Sequence, residues 1–157
     1  MKPPGHPITW WNVKVAGGLL LIGCLVASAF GASAPLLLTP PLLGQGLAVL
    51  GGSLFLFHYR LMRREQPRSG ERAELLCRHG LYRWVRHPMY LADGILYLGL
   101  TLLAGSGLSI ALYLLCLYAL WRQARVEDQY MASLHPEQHR LWERRTGLML
   151  PRLAPSH

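Results

Sequence analysis

The stretch "YRWVRHPMYLADG", Tyr82–Gly94, marks the point where a chain rich in arginine becomes a chain rich in leucine. Arg86, His87 and Pro88 stand together at the edge of an apolar segment, and Asp93 follows a few residues inside it. A charged side chain at membrane depth costs roughly 2.5–3.5 kcal/mol on insertion scales. The sequence therefore predicts partners that compensate for these charges, or a ligand that is bound among them.

The distribution of charge indicates an integral membrane protein. Of the 157 residues, 52% are hydrophobic and 15% are charged, whereas about 25% are charged in typical soluble domains. No Asp, Glu, Lys or Arg occurs in residues 15–57, and Asp93 is the only one in residues 88–121. A soluble fold needs charges throughout to cover its surface. We therefore expect one membrane domain over residues 1–157, all-α and polytopic.

Four apolar segments predict four transmembrane helices. Val13–Phe30 and Leu36–Tyr59, within the N-terminal 60 residues, are each near the ~20 residues that cross a ~30 Å hydrocarbon core. Tyr90–Ala104 and Gly107–Trp121 are shorter and are joined by "GSG". They predict a tight helical hairpin whose second helix continues through Arg122.

The arginines between the second and third segments predict the orientation. They are Arg60, Arg63, Arg64, Arg68, Arg72, Arg78, Arg83 and Arg86. The positive-inside rule assigns such a loop to the cytoplasm, which places both termini, with Lys2 and Lys14, on the same side. His58 and Tyr59 are interpreted as markers of this interface. After Arg122, mixed charged and apolar residues around Pro136 predict cytoplasmic C-terminal amphipathic helices on the membrane surface.

Several other classes of protein are less consistent with the sequence. "LIGC" and "ASA" after Lys14 imitate a lipoprotein box and a cleavage site, but a second apolar segment follows at once, so we expect a retained helix. The net charge of +8 is concentrated beside apolar segments, and no nucleic-acid-binding module is visible. The scattered Cys24, Cys77 and Cys116 form neither a disulfide framework nor a metal site.

Two polar clusters flank the predicted hairpin. "HGLYRWVRHPMY" precedes it and "RQARVEDQYM" follows it. A hairpin returns its outer ends to one membrane face, so Arg86 and His87 should meet Glu127 or Asp128 across a cleft. Such a cleft suits a zwitterionic nucleoside such as S-adenosylmethionine. Because neighbours in a helix point about 100° apart, we expect Glu127 rather than Asp128 to face the pocket.

Residues 78–151 resemble the isoprenylcysteine carboxyl methyltransferase and phospholipid methyltransferase superfamily of membrane enzymes. The matching elements are "GLY" at Gly80–Tyr82, "RHPMY" at Arg86–Tyr90, "ED" at Glu127–Asp128, "HPEQHRLW" at His135–Trp142 and "LP" at Leu150–Pro151. The resemblance implies a cytosol-facing pocket for S-adenosylmethionine, capped by the C-terminal helices, and a tunnel open to lipid. The implied reaction transfers a methyl group to a lipid-like or lipophilic acceptor: an isoprenylcysteine carboxylate, a phospholipid amine or a thiol.

The resemblance also implies roles for individual residues. Arg86 and His87 would hold the methionine part of the cofactor, and Glu127 would hold its polar end. The cofactor-binding candidates are Gly80, Tyr82, Arg86, His87, Tyr90, Glu127 and Asp128, and the catalytic candidates are Arg86, His87 and Asp93. Proximity and alignment can supply roughly 7–11 kcal/mol to such a displacement. A carboxylate acceptor needs no base, whereas for an amine or thiol His79, His87 or Asp93 could serve.

Two departures from the family pattern keep other functions open. Asp128 is one methylene shorter than the family's glutamate, and the family's Tyr-x-x-Tyr-like element reads His139 and Trp142 here. A sterol or steroid-type membrane reductase that uses NADPH shares this C-terminal architecture, although "RVEDQYMASLHPEQH" lacks its lysines and cysteine. A non-catalytic membrane subunit would have no pocket-facing acid and would bind no nucleotide.

Overall fold

The computed structural model of the chain describes residues 7–32, 36, 40–65 and 80–152. These residues contain no strand, which confirms the all-α prediction for them. The five α-helices are α1 Pro7–Ala29, α2 Pro41–Glu65, α3 Pro88–Ala104, α4 Gly107–Leu134 and α5 Pro136–Arg145, and a short 3-10 helix covers Gly80–Arg83. Cys77, His79 and three of the predicted loop arginines, Arg68, Arg72 and Arg78, lie outside the described residues.

Three of these helices are long and apolar enough to cross a membrane. The candidate spans are Trp10–Ala29, Pro41–Arg64 and the whole of α4. The apolar α3 has 17 residues, and at 1.5 Å per residue it reaches about 25 Å, less than the ~30 Å hydrocarbon core. Large apolar side chains such as Leu19 and Leu114 point outward, as expected of helices in lipid. The four crossings and the cytoplasmic termini stay predictions.

The predicted hairpin between α3 and α4 is present. α3 ends at Ala104 and is capped by Gly105, whose φ of 63° is left-handed, a conformation that glycine adopts without strain. The next residue, Ser106, begins α4 with a capping box: its hydroxyl accepts the Ser109 N–H at 3.1 Å, and the Ser109 hydroxyl accepts the Ser106 N–H at 3.2 Å. The tight turn brings the beginning of α3 beside the polar C-terminal part of α4.

The predicted break at Pro136 is also present. α4 ends at Leu134, and α5 begins with Pro136 at its first position, where the missing N–H of proline costs no hydrogen bond. α5 buries His139 and leaves Glu137 and Arg140 exposed. That α5 lies on the membrane surface stays a prediction.

Glycines allow α3, the central helix, to pack closely against α2. A Cβ at Gly99 would lie 2.5 Å from the Ala48 nitrogen, and a Cβ at Gly51 would overlap the Leu96 nitrogen. Small residues at such positions are typical of membrane helices, whose association depends on close packing. Gly52, the next residue, faces no atom within 4 Å.

These neighbouring glycines give a matched pair of variants. We expect Gly51→Ala to destabilise the fold by about 1–3 kcal/mol, because the new methyl group meets the backbone of α3 and no flexible side chain can yield. Gly52→Ala adds the same methyl group in open space and should be neutral or slightly stabilising. Thermal unfolding in detergent measures both. Equal midpoints for the two variants would contradict the close packing of α2 on α3.

Candidate functional site

The 3-10 helix that leads into the site is anchored to α2 by His58. His58 is buried, and its Nε2 accepts the backbone N–H of Leu81 at 3.1 Å. Its Nδ1 therefore carries the proton and donates to the Leu54 carbonyl at 2.8 Å. Gly80 begins the 3-10 helix with a left-handed φ of 59° and is exposed. The ring of His58 thus fixes the chain just before Tyr82, and its interpretation as an interface marker stays a prediction.

The backbone around Arg86 is paired with the segment that follows α5. The Gly147 N–H donates to the Trp84 carbonyl at 3.0 Å, and the Arg86 N–H donates to the Gly147 carbonyl at 2.8 Å. One residue further, the His87 N–H donates to the Leu148 carbonyl at 3.0 Å. This short parallel pairing holds the loop before α3 in place.

The Arg86 side chain forms a bidentate ion pair with Asp128 of α4. Its Nε donates to Asp128 Oδ1 at 2.8 Å and its Nη2 to Oδ2 at 3.2 Å, while Nη1 donates to the Thr146 carbonyl at 2.8 Å. The guanidinium fork suits this geometry. The structure thus shows the predicted pairing of Arg86 with an acid of α4, which compensates for a charge that is only 6% exposed.

Glu127 is hydrogen-bonded on the other side of His87. The Tyr90 hydroxyl and the Gln123 amide donate to Glu127 Oε1 at 2.6 and 2.8 Å. The second oxygen, Oε2, lies 3.6 Å from His87 Nδ1. The His87 and Tyr90 rings stack with their centroids 5.5 Å apart. Glu127 is therefore oriented by a tyrosine, an amide and an imidazole.

Asp128 faces His87 from the other side of the ring. His87 Nε2 lies 3.7 Å from Asp128 Oδ1, and His139 Nε2 lies 3.0 Å from the same oxygen. Neither approach has hydrogen-bond geometry, and both Nε2 atoms are buried without a hydrogen-bond partner in the described part of the chain. The His87 ring lies between the two acids, which each face one of its nitrogens. His139 was not among the site residues predicted from the sequence. The signal that pointed to it was its place in the element that reads Tyr-x-x-Tyr in the family.

The two acids line different cavities. An inner cavity of about 80 Å³ is lined by Met62, Tyr82, Arg86, His87, Met89, Tyr90 and Glu127. A cleft of about 490 Å³ shares Tyr82 with it, and another of about 280 Å³ shares Arg86 and is lined by Asp128 and His139. Sites for small molecules usually measure about 300–1,000 Å³. The inner cavity alone therefore takes only a small group, and a nucleoside needs one of the clefts as well.

Asp93 lies apart from these cavities. Its Oδ2 is 2.5 Å from the Lys14 ammonium, and both side chains are only 8% exposed. Lys14 lies inside α1 and faces α3, and its location on the cytoplasmic side stays a prediction. The buried carboxylate on α3 needs a cation at this depth, and α1 supplies it. The assignment of Asp93 as a catalytic base stays a prediction, and Gly80 lines none of the three cavities either.

These features define a helical membrane protein with a buried histidine between two carboxylates. The phospholipid methyltransferase family pattern matches residues 41–138, more than half of the chain, and the chain belongs to this family. It is also 33% identical over 158 aligned residues to the cobalt-zinc-cadmium resistance protein CzcN of Cupriavidus metallidurans. That alignment covers 95% of this chain and 65% of the relative, so the chain spans less than two thirds of the relative's length. No solved structure matches the chain.

Proposed function

We propose that the protein transfers a methyl group from S-adenosylmethionine to a lipophilic acceptor at the cytoplasmic membrane face. The observation that carries this proposal is the position of His87 between Glu127 and Asp128, next to the inner cavity. All three residues lie in the part of the chain that matches the phospholipid methyltransferase family.

Buried polar atoms that lack a hydrogen bond support the fit of this cofactor near His87. His87 Nε2, His139 Nε2 and Gln123 Oε1 are buried and have no hydrogen-bond partner among the described residues. Buried polar groups are normally paired, so these atoms are suited to a polar ligand. In the proposed complex, the imidazoles meet the carboxylate or hydroxyl groups of the cofactor, and Glu127 accepts from its ammonium or ribose.

Arg86 has a supporting part in this proposal. Its Nε, Nη1 and Nη2 are already used by Asp128 and the Thr146 carbonyl. We therefore assign it to holding Asp128 and the segment after α5 around the cofactor, rather than to direct charge neutralisation of the methionine part.

In the proposed methyl transfer, the main task of the protein is to align the two reactants. S-adenosylmethionine supplies an electrophilic methyl group on a sulfonium. The residues of the site bind and orient the two reactants, which accounts for most of the acceleration in such reactions. When the acceptor is an amine or a thiol, His87 Nε2 accepts its proton instead of contacting the cofactor, and Glu127, whose Oε2 lies 3.6 Å from Nδ1, stabilises the resulting charge.

The acceptor is proposed to come from the bilayer. The outward faces of α1, α2 and α4 carry exposed apolar side chains, among them Leu20, Leu42 and Leu115, so a lipophilic molecule reaches the protein through lipid. The name of the CzcN relative refers to resistance to cobalt, zinc and cadmium and states no acceptor.

Calorimetric titration of the detergent-purified protein with S-adenosylhomocysteine, and separately with NADPH, tests the proposal. We expect S-adenosylhomocysteine to bind and NADPH not to bind, because the unpaired atoms and Glu127 form a site for a zwitterionic nucleoside. Binding of NADPH alone would support a membrane reductase. Binding of neither would support a non-catalytic subunit and would overturn the proposed function.

A further inference from the structure

The ion pair between Lys14 and Asp93 lies outside the chemistry proposed so far. Lys14 belongs to α1, which precedes the family-matched residues 41–138. Replacing a buried ion pair by apolar residues is often neutral for stability, and ionisable residues within membrane helices frequently mark functional sites. The pair therefore calls for an explanation beyond the stability of the helix bundle.

The backbone at Lys14 is held firmly against α3 and α4. The Tyr97 hydroxyl donates to the Lys14 carbonyl at 3.3 Å. A Cβ at Gly17 would overlap the Cys116 sulfur, and one at Gly18 would lie 2.8 Å from the Tyr97 hydroxyl. This close packing of α1 against α3 and α4 defines where the Lys14 ammonium lies.

The ammonium of Lys14 contacts the ring of Tyr90. The Lys14 ammonium lies 4.7 Å from the ring centroid, which is within the range of a cation–π interaction. The same ring stacks on His87, and its hydroxyl donates to Glu127 at 2.6 Å. Asp93 fixes the ammonium from α3. A continuous set of contacts thus joins the ion pair to His87 and Glu127 of the candidate site.

We propose that Lys14 and Asp93 are positioning residues that act on the candidate site through Tyr90. The ion pair holds the Tyr90 ring so that its hydroxyl stays on Glu127, and α1 thereby becomes part of the site although it lies outside the family-matched region. The effect on cofactor binding rests on the proposed function, whereas the effect on the Tyr90 hydroxyl does not.

The test uses the doubly neutral variant Lys14→Met/Asp93→Asn. A single substitution leaves one buried charge unpaired and endangers folding, whereas removing both charges avoids this penalty. The matched control is Ser28→Ala, which removes another link between α1 and α3, the 2.6 Å hydrogen bond from the Ser28 hydroxyl to the Ala104 carbonyl at the far end of α3. Thermal unfolding establishes that both variants are folded.

The first measurement is independent of any ligand. Tyrosine labelled with carbon-13 at the ring carbon that bears the hydroxyl reports the hydrogen bond of Tyr90 by NMR, and Tyr90→Phe assigns the resonance. We expect this resonance to shift in the doubly neutral variant and to stay unchanged in Ser28→Ala. In the single variant Lys14→Arg, which keeps a cation opposite Asp93, it should stay closer to its original position than in the doubly neutral variant. An unchanged resonance in the doubly neutral variant would overturn the proposal, whether or not the protein binds S-adenosylhomocysteine.

The second measurement is the affinity for S-adenosylhomocysteine. We expect the doubly neutral variant to bind at least about tenfold more weakly, since a lost hydrogen bond to a charged group costs about 1.5–3 kcal/mol and about 1.4 kcal/mol is tenfold in affinity. In a Tyr90→Phe background the same double substitution should change affinity by less than about twofold, as a shared pathway requires. Equal losses in both backgrounds would show that Lys14 does not act through the Tyr90 hydroxyl. Absence of binding by the unaltered protein would overturn the proposed function and leave the NMR result to decide the positioning role.

Discussion

Replacing Glu127 by glutamine is expected to weaken the binding of S-adenosylhomocysteine by at least about 30-fold. The carboxylate is 16% exposed, and its Oε2 lies 3.6 Å from His87 Nδ1. Removing one charge from such a buried, hydrogen-bonded arrangement costs about 2–5 kcal/mol, and about 2 kcal/mol already corresponds to a factor near 30 in affinity. Calorimetric titration of the variant measures the loss.

Glutamine keeps the shape of the side chain and an oxygen that can accept the Tyr90 hydroxyl, so the fold should be retained. Glu137→Gln is the matched control, because Glu137 is exposed on α5 and lines none of the three cavities, and the affinity should be unchanged. We expect His87→Ala to abolish binding as well, since both acids face that ring. Full affinity in both Glu127→Gln and His87→Ala would mean that the cofactor does not bind at this cluster.

Replacing Arg86 by methionine is expected to produce the largest loss of stability, about 3–5 kcal/mol, because it leaves Asp128 as an uncompensated charge that is 13% exposed. Arg86 also holds the Thr146 carbonyl at 2.8 Å. The segment after α5 should therefore detach and become sensitive to proteases. Thermal unfolding and limited proteolysis followed by mass spectrometry measure the two effects.

Two further variants distinguish the effect of losing the Arg86–Asp128 ion pair from the general effect of losing an arginine. Arg83→Met removes an exposed arginine three residues away. It should change the free energy of unfolding by less than about 0.5 kcal/mol. Arg86→Met/Asp128→Leu removes both charges and should recover much of the lost stability. A loss in Arg83→Met as large as that in Arg86→Met would contradict the special role of the Asp128 pair.

The sequence was sufficient to predict the hairpin and the meeting of its two polar ends. Charge-free segments of the right length predict membrane helices because charges are costly in lipid, and "GSG" predicts a tight turn through the conformational freedom of Gly105. Once the turn is placed, Arg86 and His87 must lie near Glu127 and Asp128. These are local rules, and the structure follows them.

Contacts between distant helices could not be predicted in this way. Lys14 and Asp93 are 79 residues apart, and no local pattern indicates which helix lies against Lys14. His58 and His139 have roles that depend on which helix lies against them. Glu127 lines the inner cavity and Asp128 does not, but the direction of each side chain along the helix could not show that the two nitrogens of the His87 ring would each face one of the acids.

The backbone pairing of residues 84–87 with residues 147–148 has a consequence for biosynthesis. Arg86 and the Thr146 carbonyl that it holds are 60 residues apart, so the beginning of α3 leaves the ribosome well before the partner segment emerges. Until residue 148 has left the ribosome, the N–H groups of Arg86 and His87 lack the carbonyls that later accept them. The hairpin can insert early, but the site is assembled last, after translation of the segment beyond α5.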